Sequence, residues 1–330
     1  MDFSADSDGT IIPAGSQLVR VGRGAVPQLF VDAGENSWRK FLEFFTANIR
    51  NRNTREAYLR AVVRFSRWCE RKGIGLSELT PFLVAAYIEE VGVILARPTV
   101  KQHLAAIRML LGYLVVGQVL STNPAAAVRG PKYSITKGKT PVLVAEQARQ
   151  LLDAIDVSKV AGLRDRALIG VMVFSFARVS AVLGMDVEDF FTDGRRRWIR
   201  LDEKGGKHHE VPAHHRVDEY LFAYLAISGI GADPRSPLFR SLDRRGKLTE
   251  RRLARREVLA MVKRRARDAG LPDFICCHTF RATGITAYLS NGGTLEHAQR
   301  IAAHESPRTT KLYDRTSDEI TLDEIERILI

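Results

Sequence analysis

Apolar positions in this chain form two blocks of helical periodicity, separated by a short stretch with none. From Ser37 onward, Trp38, Phe41, Leu42, Phe45 and Ile49 recur at the spacing of one helix face, with Ser37 as the expected N-cap. Asn53 and Glu56 read as a capping box opening a second helix, in which Tyr58, Val62, Phe65 and Cys69 make the buried stripe. A third helix is expected from Thr80 and Pro81. A fourth follows Pro98, burying Val100, Leu104, Ile107, Leu111 and Leu114 while exposing Lys101 and Arg108. Asn123 and Pro124 suggest one more short helix start. Residues 1–35, rich in Gly, Ser and Asp, hold no sustained period and read as a flexible N-terminal tail.

Residues 131–141 contain Lys132, Lys137, Lys139, two prolines and a glycine without periodicity, and are expected to be an interdomain linker. Beyond them, helices are expected near 145–155 and 163–174, with a short one after Arg178. Trp198, Ile199 and Leu201 mark a strand running into the turn Lys204, Gly205, Gly206, Lys207, and residues 208–211 return as its partner. Two further helices are expected over 216–228 and 249–269. In the second, Arg252, Arg256, Lys263 and Arg267 share one side. The expected fold class is mainly α: a helical domain over 36–130, then a helical domain over 142–330 with a small antiparallel β-sheet.

Charge sharpens this picture. A chain of 330 residues can bury two cores, and its net charge of +12 with a pI near 9.8 points to a polyanionic partner. Between residues 35 and 130 there are 14 Lys and Arg against 7 Glu and no Asp. Arg60, Arg64, Arg67 and Arg71 repeat the spacing of the second helix's apolar stripe two residues later. That is about 200° around the helix, so they are expected to face outward. Such a stripe alone is commonly a solvated helix face. With no acid interrupting it, and with the chemistry below, nucleic-acid contact is the favoured reading. No apolar run approaches the roughly 20 residues that span a bilayer, and the N-terminus lacks a basic-then-apolar leader pattern. Three cysteines, two of them adjacent, make no disulfide framework, so a reduced, cytoplasmic protein is expected.

Candidate chemistry gathers near the C-terminus, in Cys277-His278-Thr279-Phe280-Arg281 and in the run from His304 to Tyr313. With Arg178 and Lys204 these supply two guanidiniums, two imidazoles, an ammonium and a phenol. Cutting a phosphodiester requires cations for the charge developing on the non-bridging oxygens, a nucleophile, and a proton for the leaving oxygen. Arginine suits the first task because its planar fork grips phosphate bidentately. No carboxylate cluster of the kind that holds catalytic divalent ions accompanies the motifs, which favours a metal-free route. The pairs His208-His209 and His214-His215 invite a metal reading. Adjacent histidines on a strand face opposite ways, however, and no metal site is expected.

These residues resemble the tyrosine recombinase, or phage integrase, family and its Xer-like members, over about residues 36–330. Ala177-Arg178-Val179-Ser180 fits the middle of the family's first-arginine motif, Lys204 its hairpin lysine, and His278 with Arg281 its His-x-x-Arg box. His304 matches the later histidine and Tyr313 the nucleophile. The resemblance implies a SAM-like core-binding domain followed by the family's catalytic fold. It implies site-specific recombination of double-stranded DNA through a 3′-phosphotyrosyl intermediate, with neither metal, ATP nor another cofactor, by a tetramer on two DNA sites. Arg178, Lys204, His278, Arg281, His304 and Tyr313 are then the expected catalytic set. Arg60, Arg64, Arg67, Arg71, Lys101, Arg108, Arg252, Arg256, Lys263 and Arg267 are the expected DNA contacts. The segment 317–330, with apolar Ile325, Ile328 and Leu329 on one face, is expected to dock on a neighbouring protomer rather than close its own domain.

Three positions depart from the family pattern. Ala181 replaces the acid usually three residues after the first arginine, so either Arg178 takes another partner or the enzyme is slow. Phe176 and Ala303 replace glycines, the first altering a local turn and the second expected to sit in a helix. The competing functions are a type IB-like topoisomerase, which shares the phosphotyrosine chemistry, and a catalytically impaired DNA-binding protein.

Overall fold

The computed structural model describes residues 9–14, 17–22, 26–133, 138–203, 206–314 and 325–326. The chain divides into two compact units, Met1–Ser134 and Ile135–Ile330.

In the first unit, β1 (Gly9–Ala14) and β2 (Gln17–Gly22) pair as an antiparallel hairpin. Helices α1 (Gln28–Asp32), α2 (Glu35–Glu43), α3 (Arg52–Arg71), α4 (Pro81–Ile94) and α5 (Arg97–Val116) follow. The expected tail is therefore too long as drawn: Val26, Leu29 and Phe30 are buried in the same core as Phe41, Phe65 and Leu111. Apolar residues this close to a helical domain gain more by burial than by remaining in a tail.

The helix starts differ in detail from expectation. Thr80 does cap α4, accepting from Leu83 N, with Pro81 in the first turn. Asn51, not Asn53, caps α3 by accepting from Thr54 N at 3.1 Å, and Glu56 instead pairs with Arg52. α2 starts after Gly34, where φ is +95°, so Ser37 lies inside the helix and is buried. Asn123 opens a turn rather than a helix. Its Oδ1 accepts from Ala125 N at 2.9 Å and its Nδ2 donates to Arg108 O at 2.9 Å.

The second unit packs α6 (Ala145–Asp153), α7 (Val160–Phe174), α8 (Val179–Gly184), α9 (His215–Ser228), α10 (Arg255–Asp268), α11 (Cys277–Ser290), α12 (Leu295–Ile301) and α13 (Pro307–Lys311) around a large apolar core and a smaller one that includes Phe176, Ile285, Ala298 and Tyr313. α7 is buried nearly all round and lies against α9 and α11. Where α11 crosses α7 the backbones almost touch: a Cβ on Gly284 would sit 2.0 Å from Val173 O, so only glycine permits the approach. A three-stranded antiparallel sheet, β3 (Phe190–Asp193), β4 (Arg196–Glu203) and β5 (Lys207–Pro212), covers one side, and β6 (Arg240–Leu242) pairs with β7 (Leu248–Arg252). Two of these strand pairings, β3 with β4 and β6 with β7, go beyond what the sequence pattern predicts. The linker expected to run to residue 141 is already attached at Gly138, whose N–H donates to Leu312 O at 2.9 Å.

Within α7, Asp165 is fully buried and accepts from Arg164, Arg264 and Arg265. A buried carboxylate is tolerable only when so satisfied, and removing it would strand the buried Arg164 at a cost of about 3–5 kcal/mol.

Candidate active site

Cys276 opens α11, its N–H donating to Thr279 Oγ1 at 3.1 Å, so His278 and Arg281 fall one turn apart on one helix face. Arg281 is only 1% exposed. Its guanidinium donates to Phe176 O and, at 2.6 Å, to Ala302 O, and its Nε has no hydrogen-bond partner among the described residues. Burial first, and then the neighbouring Arg178, bring its pKa down to about 10, against the opposing pull of Glu203.

The two accepting carbonyls flank unusual backbone. Phe176 has φ of +54° and Ala303 +46°, the left-handed region that side chains normally avoid. Ala303 is thus not a helical residue, as expected, but the residue that ends the run after α12. Its left-handed turn is followed by His304, whose N–H bonds Gln299 O at 3.0 Å.

His304 is buried. Its Nδ1 lies 2.8 Å from Thr310 Oγ1, and its ring stacks on Tyr313 with centroids 5.8 Å apart. Burial, reinforced by Arg281 and Arg178, lowers its pKa to about 3, so the ring is neutral. Tyr313, just after α13, packs with Phe176, Ala282 and Ile285, and its hydroxyl sits 2.8 Å from His278 Nε2. Burial raises the phenol's pKa, while Arg281 and Arg178 pull it the other way. His278 keeps an exposed edge, yet its pKa is lowered by the surrounding protein first and by Arg281 and Arg178 next. In the tautomer protonated at Nδ1, its Nε2 can accept the phenolic proton.

Arg178 precedes α8 and lines an open cleft with Ser180, Arg255, Arg256 and His278. Glu203, at the end of β4, bonds both its backbone N–H and its Nη1. The same carboxylate lies 3.7 Å from Arg281 Nη1. The fold thus brings Arg178, His278, Arg281, His304 and Tyr313 together; Lys204 lies outside the described residues. The flanking Glu203 and Lys207 are paired across the hairpin, and Gly206 turns it with φ of +74°.

Some of the expected DNA contacts are exposed and others have partners within the chain. Arg60, Arg64, Arg67 and Arg71 are exposed and line one groove on α3, and Lys101, Arg256 and Arg267 are exposed as well. Arg108, however, is partly buried and donates to Ala125 O and Val128 O, tying down the segment after α5. Arg252 is on β7 rather than in a helix, and holds Leu183 O, Met185 O and Asp186. Lys263 caps the Asp273 carbonyl. These three are occupied in folding the chain. The histidine pairs are also engaged: His209 donates to Ile301 O, His208 pairs with Asp202, and His214 stacks on Phe174. Among the described residues, no group of three His, Cys, Asp or Glu gathers as a metal site.

Sequence reasoning missed Glu203, Arg255 and Thr310. Glu203 did leave a signal: along β4 the inward positions are Ile199, Leu201 and Glu203, and an acid at an inward position calls for a cationic partner.

Comparison with known proteins agrees with this geometry. Residues 141–319 match the model of the phage integrase family. The tyrosine recombinase XerC of Myxococcus xanthus is 29% identical over 298 residues, covering 87% of this chain and 95% of that protein. The XerH site-specific recombinase, solved in a pre-cleavage complex with its difH substrate, superposes with a TM-score of 0.64 at 18% identity, over 92% of this chain and 88% of that one. A lambda integrase tetramer bound to a Holliday junction gives 0.63 at 18% identity, over 88% of this chain and 81% of that chain. With the family model spanning more than half of its length, the chain belongs to the phage integrase family and has the tyrosine recombinase catalytic fold.

Proposed function

We propose that this chain is a site-specific DNA recombinase in which Tyr313 attacks the scissile phosphorus, forming a 3′-phosphotyrosyl link and freeing a 5′-hydroxyl. The observation that carries this reading is the Tyr313 hydroxyl 2.8 Å from His278 Nε2, beside two arginines, all within one chain. The phenol is a poor nucleophile while protonated, and a neutral imidazole in contact with it is placed to take the proton. Arg178 and Arg281 hold the non-bridging oxygens. His304, kept neutral and fixed by Thr310, adds a hydrogen bond, and Lys204 protonates the departing 5′-oxygen. The phosphotyrosyl ester retains the bond energy, so rejoining requires neither ATP nor metal.

The partner is double-stranded DNA. The exposed arginines of α3, with Lys101, Arg256 and Arg267, contact its backbone, and Arg255 joins Arg256 at the mouth of the cleft. XerH on difH and the lambda integrase tetramer on a Holliday junction share this fold, which supports a tetramer bridging two sites. Docking of residues 317–330 in trans belongs to the same proposal; apart from residues 325–326 that segment lies outside the described residues. Among the described residues no helix is long and apolar enough to cross a membrane, and the proposed location is the cytoplasm, on the nucleoid.

A nicked suicide substrate carrying the cognate site tests the reading. Wild type should trap a covalent adduct that Tyr313→Phe lacks while binding the same DNA equally well. Tight binding by wild type without any adduct overturns the catalytic assignment.

A further inference from the structure

Arg178 must present its guanidinium to a phosphate, yet its own helix offers it no anionic partner: α8 reads Val-Ser-Ala-Val-Leu-Gly. Its side chain reaches into an open cleft with about a third of its surface exposed. A free arginine there would sample many rotamers and lose that side-chain entropy at each encounter. The carboxylate that restrains it comes from another element 25 residues along the chain. Glu203 is itself 5% exposed, accepts from Arg178 N–H with Oε1 and from Arg178 Nη1 with Oε2, and its Oε1 also lies 3.7 Å from Arg281 Nη1.

We infer that Glu203 is a positioning residue for the reaction, clamping Arg178 through one guanidinium nitrogen so that the rest of the fork faces the scissile phosphate. The inference rests on the recombinase reading above and deepens it. Three features distinguish Glu203 from an ordinary core ion pair. It spans both guanidiniums of the site rather than pairing with one. It occupies an inward strand position where β4 otherwise places Ile199 and Leu201. Arg281, by contrast, is already held by two carbonyls and does not depend on Glu203 for its orientation. Preorganising a cation before charge develops is the larger part of what such sites contribute to rate.

The test uses the full chain on the suicide substrate, where the wild-type adduct reads the recombinase assignment by itself and variant-to-wild-type ratios isolate Glu203. Glu203→Gln keeps shape and loses charge. It should keep its circular dichroism and DNA affinity while forming adduct about 100-fold more slowly. Glu203→Asp should recover part of that loss. With Arg178→Ala already present, Glu203→Gln should change the rate by less than about 3-fold, because its effect passes through that arginine. A substrate with sulfur at the bridging 5′ position, whose leaving group needs no proton, should not restore Glu203→Gln. Wild-type rates in a folded Glu203→Gln, a full further loss in the Arg178→Ala background, or restoration by bridging sulfur each overturn the inference, the last by moving the effect to Lys204. If wild type forms no adduct at all, both readings fall together.

Discussion

The Tyr313 hydroxyl meets His278 Nε2 at 2.8 Å while the Tyr313 ring lies nearly parallel to His304, at an interplanar angle of 9°. One histidine therefore meets the phenol's hydroxyl and the other lies flat against its ring. Both have lowered pKa values, so neither competes with the arginines as a cation. His278→Ala should slow adduct formation by about 100- to 10,000-fold with DNA affinity retained, measured as a single-turnover rate. A rate within threefold of wild type would assign the proton to another acceptor.

Protonating His304 should destabilise the second unit. Its folded pKa of about 3 lies below the unfolded value of about 6.5, so the unfolded chain binds the proton more tightly. Stability is complete above about pH 6.5 and falls as pH drops toward 3. The loss at pH 5 should be about 2 kcal/mol. Urea unfolding across this range should show the slope in wild type and a shallower one in His304→Asn.

Left-handed backbone at Ala303 gives a prediction opposite in sign to that at Phe176. Ala303→Gly relieves the strain of φ +46° and should stabilise the protein by about 0.5–1 kcal/mol. Phe176→Gly relieves similar strain but deletes a buried ring packed with Ile285 and Tyr313, and should cost about 3 kcal/mol or more. Chemical denaturation of both variants separates the two effects.

Exposed and occupied arginines should divide cleanly in their salt dependence. Replacing Arg60, Arg64 and Arg67 together should lower the log–log salt slope of DNA binding by about 0.9 for each phosphate no longer neutralised. Arg108→Ala should leave that slope unchanged and instead reduce stability by about 1–3 kcal/mol, because the Ala125 and Val128 carbonyls lose their donor. An unchanged slope in the triple variant would place the DNA elsewhere.

The amino-acid sequence alone determined which faces α3 and α5 bury. The stripe Val62, Phe65, Cys69 and the outward arginines of α3 follow from the helical period and the cost of hydrating apolar side chains. It also singled out His278 and Arg281, three residues apart, but the helix that sets them on one face, α11, was not among the expected elements. Only the tertiary structure decided what each cation meets. Arg252 and Arg108 look like DNA contacts in the sequence, yet neighbouring carbonyls and Asp186 claim them. Ala181 left Arg178 without a local acid, and β4 supplied Glu203 instead. Local periodicity settles the direction of a side chain, but the partner of a buried charge comes from wherever the folded chain returns, since leaving that charge alone costs several kcal/mol.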